Sequence, residues 1–135
     1  MKNIFRKQSL VKPTGQDQKF EGTFSPTVIT SGLGFGIVWL AKQSKLLTYE
    51  IANTESMVPT LDEGHILIAE PVTFQTKLKI GDICVYKFEN SLIVHRITNI
   101  LGNNFIFKGD NNYFSDWPVQ KEQIVSRILV ISYTR

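Results

Sequence analysis

Cysteine is nearly absent from this sequence, which contains one, Cys84, among 135 residues. A lone cysteine excludes a disulfide within the chain and a zinc site built from several thiolates. Cys84 lies in the apolar run Ile83–Tyr86, a pattern that predicts a buried thiol. The fold is therefore expected to depend on a hydrophobic core.

A strong excess of one charge is also missing. The chain has 15 basic and 12 acidic residues, for a net charge of +3, and they are spread along the sequence without a basic stripe. This distribution does not suggest nucleic-acid binding. With 42% hydrophobic residues and room for one core, the chain is predicted to form a single globular unit preceded by a tail or an anchor.

Charged residues are absent from positions 22 to 41, whereas the preceding tail is basic and polar. Residues 1–21 have no sustained apolar period and are predicted to be a flexible tail. Residues 22–42 are long enough for one transmembrane helix, which needs about 20 residues. Because Pro26 and several glycines dilute this segment, a buried Gly-rich element or a signal-peptide core is also open. If it spans, the basic tail places the N-terminus in the cytoplasm and the rest on the opposite side.

Short β-like runs separated by turn residues begin at Leu46. Glycine, asparagine and aspartate in the intervening segments accept turn geometry. The pattern predicts a mainly β, antiparallel domain over residues 46–135. The predicted strands are Leu46–Ala52, His65–Glu70, Ile83–Phe88, Leu92–Leu101, Asn104–Lys108 and Arg127–Tyr133.

Three segments carry groups capable of chemistry. Ser56 follows a predicted strand and precedes Pro59, which restricts the chain as it turns away. His95 shares one strand face with Ile93 and Ile97, and these apolar neighbours favour the neutral imidazole that a general base needs. The third segment is the polar loop that begins at Gly109 and carries two carboxylates, Asp110 and Asp116. A serine becomes a good nucleophile when a base takes its proton and a carboxylate orients that base.

Each of these segments also has an ordinary structural explanation. Ser56 could be a turn serine, and His95 a core histidine bonded to a backbone carbonyl. The Gly-Asp-Asn-Asn run is typical of a turn. It lacks the regular ligand alternation and terminal glutamate of a calcium loop, so we expect no metal and no cofactor.

Four segments, taken in order, resemble the sequence boxes of the signal peptidase I family. They are Ser56–Leu61, Ile80–Tyr86, Val94–Ile97 and Lys108–Asn112, and the likeness extends over about residues 46–133. The closing segment Gln123–Ile128 looks like the last strand of that family. The resemblance implies a signal-peptidase-like antiparallel β catalytic domain behind one transmembrane helix. It also implies a membrane-bound serine endopeptidase that removes signal peptides after small residues. Pre-proteins and membrane lipid are its expected partners, and a need for translocon or accessory subunits is left open.

The same resemblance implies roles for individual residues. The bacterial branch uses a serine and a lysine, whereas the archaeal and endoplasmic-reticulum-type branch has histidine at the lysine position, as His95 is here. Ser56 is then the nucleophile, His95 the general base and Asp116 the carboxylate that orients it. Asp110 is the alternative carboxylate or a structural partner of its loop, and Thr54 could donate to the oxyanion through its hydroxyl.

Two rival functions and one departure from the family pattern stay open. A soluble self-cleaving protease of the repressor type would use a lysine base, and His95 argues against it. A catalytically silent β-domain that binds pre-proteins in a membrane complex is less consistent with the joint presence of Ser56, His95 and Asp116. His65 stands where the family commonly has aspartate, and its place at a turn predicts an exposed structural residue.

Overall fold

The computed structural model describes residues 26–29, 46–52 and 55–133. These residues form eight strands, with a 3₁₀ turn at Lys121–Gln123 before the last one. The strands are β1 Thr27–Ile29, β2 Leu47–Glu50, β3 Ile66–Pro71, β4 Ile83–Phe88, β5 Ser91–Leu101, β6 Asn104–Lys108, β7 Val119–Gln120 and β8 Ile124–Ser132. The prediction of a mainly β, antiparallel fold is confirmed.

The predicted strands lie close to the observed ones because β-branched and aromatic runs stop at turn residues. Strands β4 and β6 agree with the prediction at both ends. Strand β8 begins at Ile124, earlier than the predicted Arg127, since Ile124 to Ser126 continue its alternation. The short strands β1 and β7 were not among the predicted ones.

The strand order within the described sheet is β2-β3-β8-β4-β5-β6-β7. Strands β4, β5 and β6 are joined as consecutive antiparallel hairpins. Strand β8 lies between β3 and β4, and β1 runs parallel to its final residues, Val130–Ser132. The last described strand therefore joins the β2-β3 pair to the β4-β5-β6 meander that carries His95.

Two clusters of buried apolar side chains form the core, and the alternation of β4 assigns residues to each. Ile83 and Val85 belong to the first cluster, whereas Cys84 and Tyr86 belong to the second. The same alternation in β5 puts Ile93 and Ile97 in the second cluster while Val94 packs against the first. The predicted sharing of faces in the strand around His95 is thus observed.

The predicted transmembrane segment lies mostly outside the described residues, as does the whole tail 1–21. Within 22–42, residues 27–29 form β1 and pair with β8. A helix spanning the membrane at 22–42 would therefore require β1 to leave β8. Among residues 26–29, 46–52 and 55–133, no helix combines the length and apolar character that a bilayer crossing needs.

Candidate active site

Ser56 opens the turn of residues 56–60 between β2 and β3, and it is buried, at 5% exposure. The preceding residue, Glu55, has a φ of 65°, a left-handed conformation that few residues other than glycine adopt. Met57 and Leu61 are both buried in the first core cluster, and the Leu61 N–H donates to the Met57 carbonyl at 2.9 Å. The core therefore fixes the turn that presents the serine.

His95 lies within β5, is 1% exposed, and contacts both other members of the predicted triad. Its Nε2 lies 3.0 Å from Ser56 Oγ, and its Nδ1 lies 2.5 Å from Asp116 Oδ2. An ionised carboxylate can only accept hydrogen bonds, so Nδ1–H donates to Asp116. The Nε2 of a neutral imidazole is then left to accept the Ser56 hydroxyl, which is the orientation a general base requires.

Asp116 is held in the loop between β6 and β7 with its side chain 12% exposed. Its N–H donates to the Phe107 carbonyl at 2.8 Å, which ties the loop to the end of β6. Its Oδ2 accepts a second hydrogen bond from the Tyr86 hydroxyl, besides the one from His95. Backbone and side-chain contacts therefore both hold the carboxylate against the imidazole.

Tyr86 is a site residue that the sequence reasoning missed. It is 1% exposed, and its ring packs against Phe107 with centroids 4.7 Å apart. A usable signal was present, because Tyr86 shares a face of β4 with Cys84, and Cys84 pairs directly with His95. Pairing the two strands in this register would have brought Tyr86 close to the histidine.

The loop after β6 contacts the backbone of the nucleophile. The Asn111 N–H donates to the Ser56 carbonyl at 2.8 Å, and Asn111 Nδ2 donates to the Glu55 carbonyl at 3.1 Å. A Cβ atom placed on Gly109 would lie 2.6 Å from the Ser56 carbonyl oxygen. Only glycine therefore allows this approach without a shift of the backbone.

Asp110 has a different set of partners from Asp116. Arg96 donates to it through Nε at 2.9 Å and Nη2 at 2.8 Å, and Thr60 Oγ1 donates to it at 2.6 Å. Arg96 also donates to the Gly81 carbonyl at 3.0 Å. Of the two candidate carboxylates, Asp116 is therefore the one that contacts His95, and Asp110 is the structural partner of the loop.

Thr54 and His65 complete the predicted residues. Thr54, the candidate oxyanion donor, lies outside the described residues. The prediction that His65 is exposed is wrong, because it is 7% exposed and stacks on Tyr133 with ring centroids 4.3 Å apart. Its Nδ1 accepts the Asp62 N–H at 3.1 Å, so it is part of the packing beside the β2-β3 connection.

Cys84 is buried, as predicted, although it pairs with His95 across the β4-β5 hairpin. Burial raises the pKa of the Cys84 thiol well above its ordinary value, and the nearby charge of Asp82 raises it further. The thiolate, rather than the thiol, is the reactive form of cysteine. Ser56 therefore has no competing nucleophile in Cys84.

Comparison with known proteins does not identify a family for this chain. No protein-family model matches the sequence, and no curated protein matches it. Function is therefore inferred from the contacts of Ser56, His95 and Asp116, together with the resemblance of the four segments.

Proposed function

We propose that this protein is a serine endopeptidase of the signal peptidase type, which removes signal peptides from secreted pre-proteins. The observation that supports this function most strongly is the continuous set of contacts from Ser56 Oγ through the His95 imidazole to Asp116. The proposal includes a signal-peptidase-like fold, cleavage after small side chains, and membrane attachment through residues 22–42, which requires β1 to leave β8.

The proposed chemistry is acyl transfer. Ser56 Oγ attacks the scissile carbonyl carbon while His95 Nε2 takes the hydroxyl proton. His95 then gives that proton to the departing amine, which breaks the peptide bond and leaves an ester on Ser56. Water, deprotonated by His95, attacks the ester and releases the new carboxyl terminus, and the proton returns to Ser56. Asp116 keeps His95 in the required tautomer and stabilises the imidazolium.

The negative charge that develops on the carbonyl oxygen needs hydrogen-bond donors. In the proposed mechanism these are the backbone N–H of Ser56 and the hydroxyl of Thr54. Loss of one such donor is expected to lower turnover about 10²-fold to 10³-fold while leaving the nucleophile and base in place.

Contacts among the four family-like segments also support the proposal. His95 pairs with Cys84 of the second segment, and Arg96 pairs with Lys108 of the fourth. Asn111, also of the fourth, donates to Ser56 of the first. Short motifs that occur by chance in separate parts of a chain have no reason to lie beside one another in the fold.

Attachment to the membrane would serve this chemistry, because it holds the protease at high effective concentration beside substrates that emerge there. The expected topology has the basic tail in the cytoplasm and the domain that begins at Leu46 on the other side. Resistance of the protein to alkaline extraction from membranes, together with protease protection of residues 1–21 in sealed right-side-out vesicles, is the result that this part of the proposal requires.

The catalytic part is tested by cleavage of a model secretory pre-protein with the detergent-solubilised full chain. Ser56→Ala and His95→Ala are expected to abolish cleavage. Ser115→Ala, which removes an exposed serine beside Asp116, and His65→Gln are the matched controls and are expected to retain it. Sequencing the product N-terminus identifies the cleavage position.

The possible results separate the rival functions. Cleavage that persists in both Ser56→Ala and His95→Ala would overturn the proposal. Binding of the pre-protein without cleavage would indicate a catalytically silent β-domain. Cleavage of the chain itself, at a rate independent of protein concentration, would indicate a self-cleaving protease.

A further inference from the structure

We infer that Tyr86 is a positioning residue that controls how strongly Asp116 supports His95, an inference that rests on the proposed Ser56 protease function. The Tyr86 hydroxyl donates to Asp116 Oδ2, the same oxygen that accepts His95 Nδ1–H. Asp116 alone therefore lies between Tyr86 and the base, and Asp116 and His95 lie between Tyr86 and the nucleophile.

The surroundings of Tyr86 hold its hydroxyl at that oxygen. The residue is 1% exposed on β4, and its ring packs against Phe107. The carbonyl of Phe107 in turn accepts the Asp116 N–H at 2.8 Å. A ring packed in the core has few alternative orientations, so the hydroxyl and the carboxylate meet in a fixed geometry.

Sharing of one carboxylate oxygen by two donors has two consequences. The Tyr86 hydroxyl stabilises the negative charge on Asp116, which makes that oxygen a weaker partner for a protonated His95. It also limits rotation of the carboxylate, which keeps Oδ2 facing Nδ1. Tyr86 therefore makes the imidazolium less stable while holding the carboxylate in position for catalysis.

Tyr86→Phe removes the donor and leaves the ring in place. We expect turnover at the pH plateau to fall by about tenfold, because the carboxylate is less well oriented. We also expect the acid limb of the kcat/KM profile to move to higher pH, since Asp116 then holds the protonated His95 more tightly. A residue that serves packing alone would leave the acid limb where it is.

Tyr49→Phe is the matched control. It also removes one partly buried tyrosine hydroxyl, whose hydrogen bond goes to Ser126 Oγ at 3.0 Å. We expect this variant to lose some stability and to keep the pH profile of the wild type. A shift of the acid limb that both variants share would be assigned to lower stability of the fold and not to loss of the Tyr86 hydrogen bond.

A titration that needs no substrate separates this inference from the proposed function. The chain has two histidines, so NMR of the His95 ring signals in the Ser56→Ala protein can be followed against pH, with His65 as internal reference. We expect Tyr86→Phe in that background to raise the midpoint of the His95 titration. We expect 3-fluorotyrosine at position 86, a stronger donor that keeps the ring, to lower it.

Opposite shifts for these two substitutions would support the inference, and an unmoved His95 midpoint in the fluorotyrosine protein would overturn it. The fluorinated residue keeps the test decisive even if Tyr86→Phe does not fold. Failure of the proposed function would show itself elsewhere, as cleavage that survives Ser56→Ala, while the His95 titration would still report on Tyr86.

Discussion

Asp110 and Asp116 lie on the same connection after β6 and are buried to a similar degree, with side-chain exposures of 10% and 12%. Asp110 faces the guanidinium of Arg96, whereas Asp116 faces the imidazole of His95. Arginine keeps its charge at all ordinary pH values, so the first pair can only hold structure. Histidine gains and loses a proton near neutrality, so the second pair can take part in proton transfer.

The two partners of these carboxylates are neighbours in β5, and this explains how one loop acquires two roles. Consecutive strand residues point to opposite faces, so His95 and Arg96 cannot meet the same carboxylate. Each therefore selects a different aspartate from the loop. The role of a carboxylate in this protein is thus decided by the register of the strand it faces, rather than by its own burial.

Substitution of each aspartate by asparagine tests whether Asp116 serves catalysis and Asp110 serves structure. The largest expected effect is the loss of turnover in Asp116→Asn. An amide at position 116 can present its N–H₂ group to His95, which favours the tautomer with the proton on Nε2. That nitrogen can then no longer accept the Ser56 proton, and we expect kcat to fall about 10⁴-fold. Steady-state cleavage of a pre-protein at the pH plateau measures this change.

The stability of the Asp116→Asn protein provides the other half of this comparison. Because the partner is a neutral imidazole and not a fixed cation, we expect the free energy of unfolding to change by less than about 1 kcal/mol. A variant that cleaves within threefold of the wild type would exclude Asp116 from the catalytic machinery.

Asp110→Asn is expected to show the reverse pattern, with a large loss of stability. The amide cannot accept both hydrogen bonds from Arg96, which is left buried with its charge poorly paired. Breaking a buried ion pair in this way costs about 3 kcal/mol. Urea denaturation followed by circular dichroism measures the loss as a lower midpoint.

Glu122→Gln is the control for the Asp110 variant, because it removes a carboxylate from an exposed residue of the 3₁₀ turn. We expect its midpoint to match that of the wild type. An Asp110→Asn protein as stable as this control would mean that the Arg96 pair does not hold the loop.

The sequence alone predicts much of the fold and part of the site. Alternation and turn residues locate β4 and β6 correctly. Two of the four segments contain Ser56 and His95, and the resemblance points to Asp116, four residues beyond the last segment, before their contacts are known. The hydroxyl of Tyr86 is less accessible to such reasoning, because its partner depends on how β4 pairs with β5 and where the loop returns. The burial of His65 depends on Tyr133, the residue that follows β8, which no local pattern indicates.

Gly109→Ala should lower both turnover and stability, each by less than the aspartate variants do. Gly109 is the point where the loop that carries Asp110 and Asp116 contacts the backbone of Ser56. The new Cβ would lie 2.6 Å from the Ser56 carbonyl oxygen and 2.8 Å from Asn112 Nδ2, so the Ser56 backbone or the loop must shift. We expect about 1–2 kcal/mol of lost stability and about tenfold lower turnover, measured by urea denaturation and cleavage. Gly102→Ala, at a φ of +62° with open space around it, should lose about 1 kcal/mol through backbone strain while keeping full turnover. Equal turnover in the two variants would show that the loop does not position Ser56.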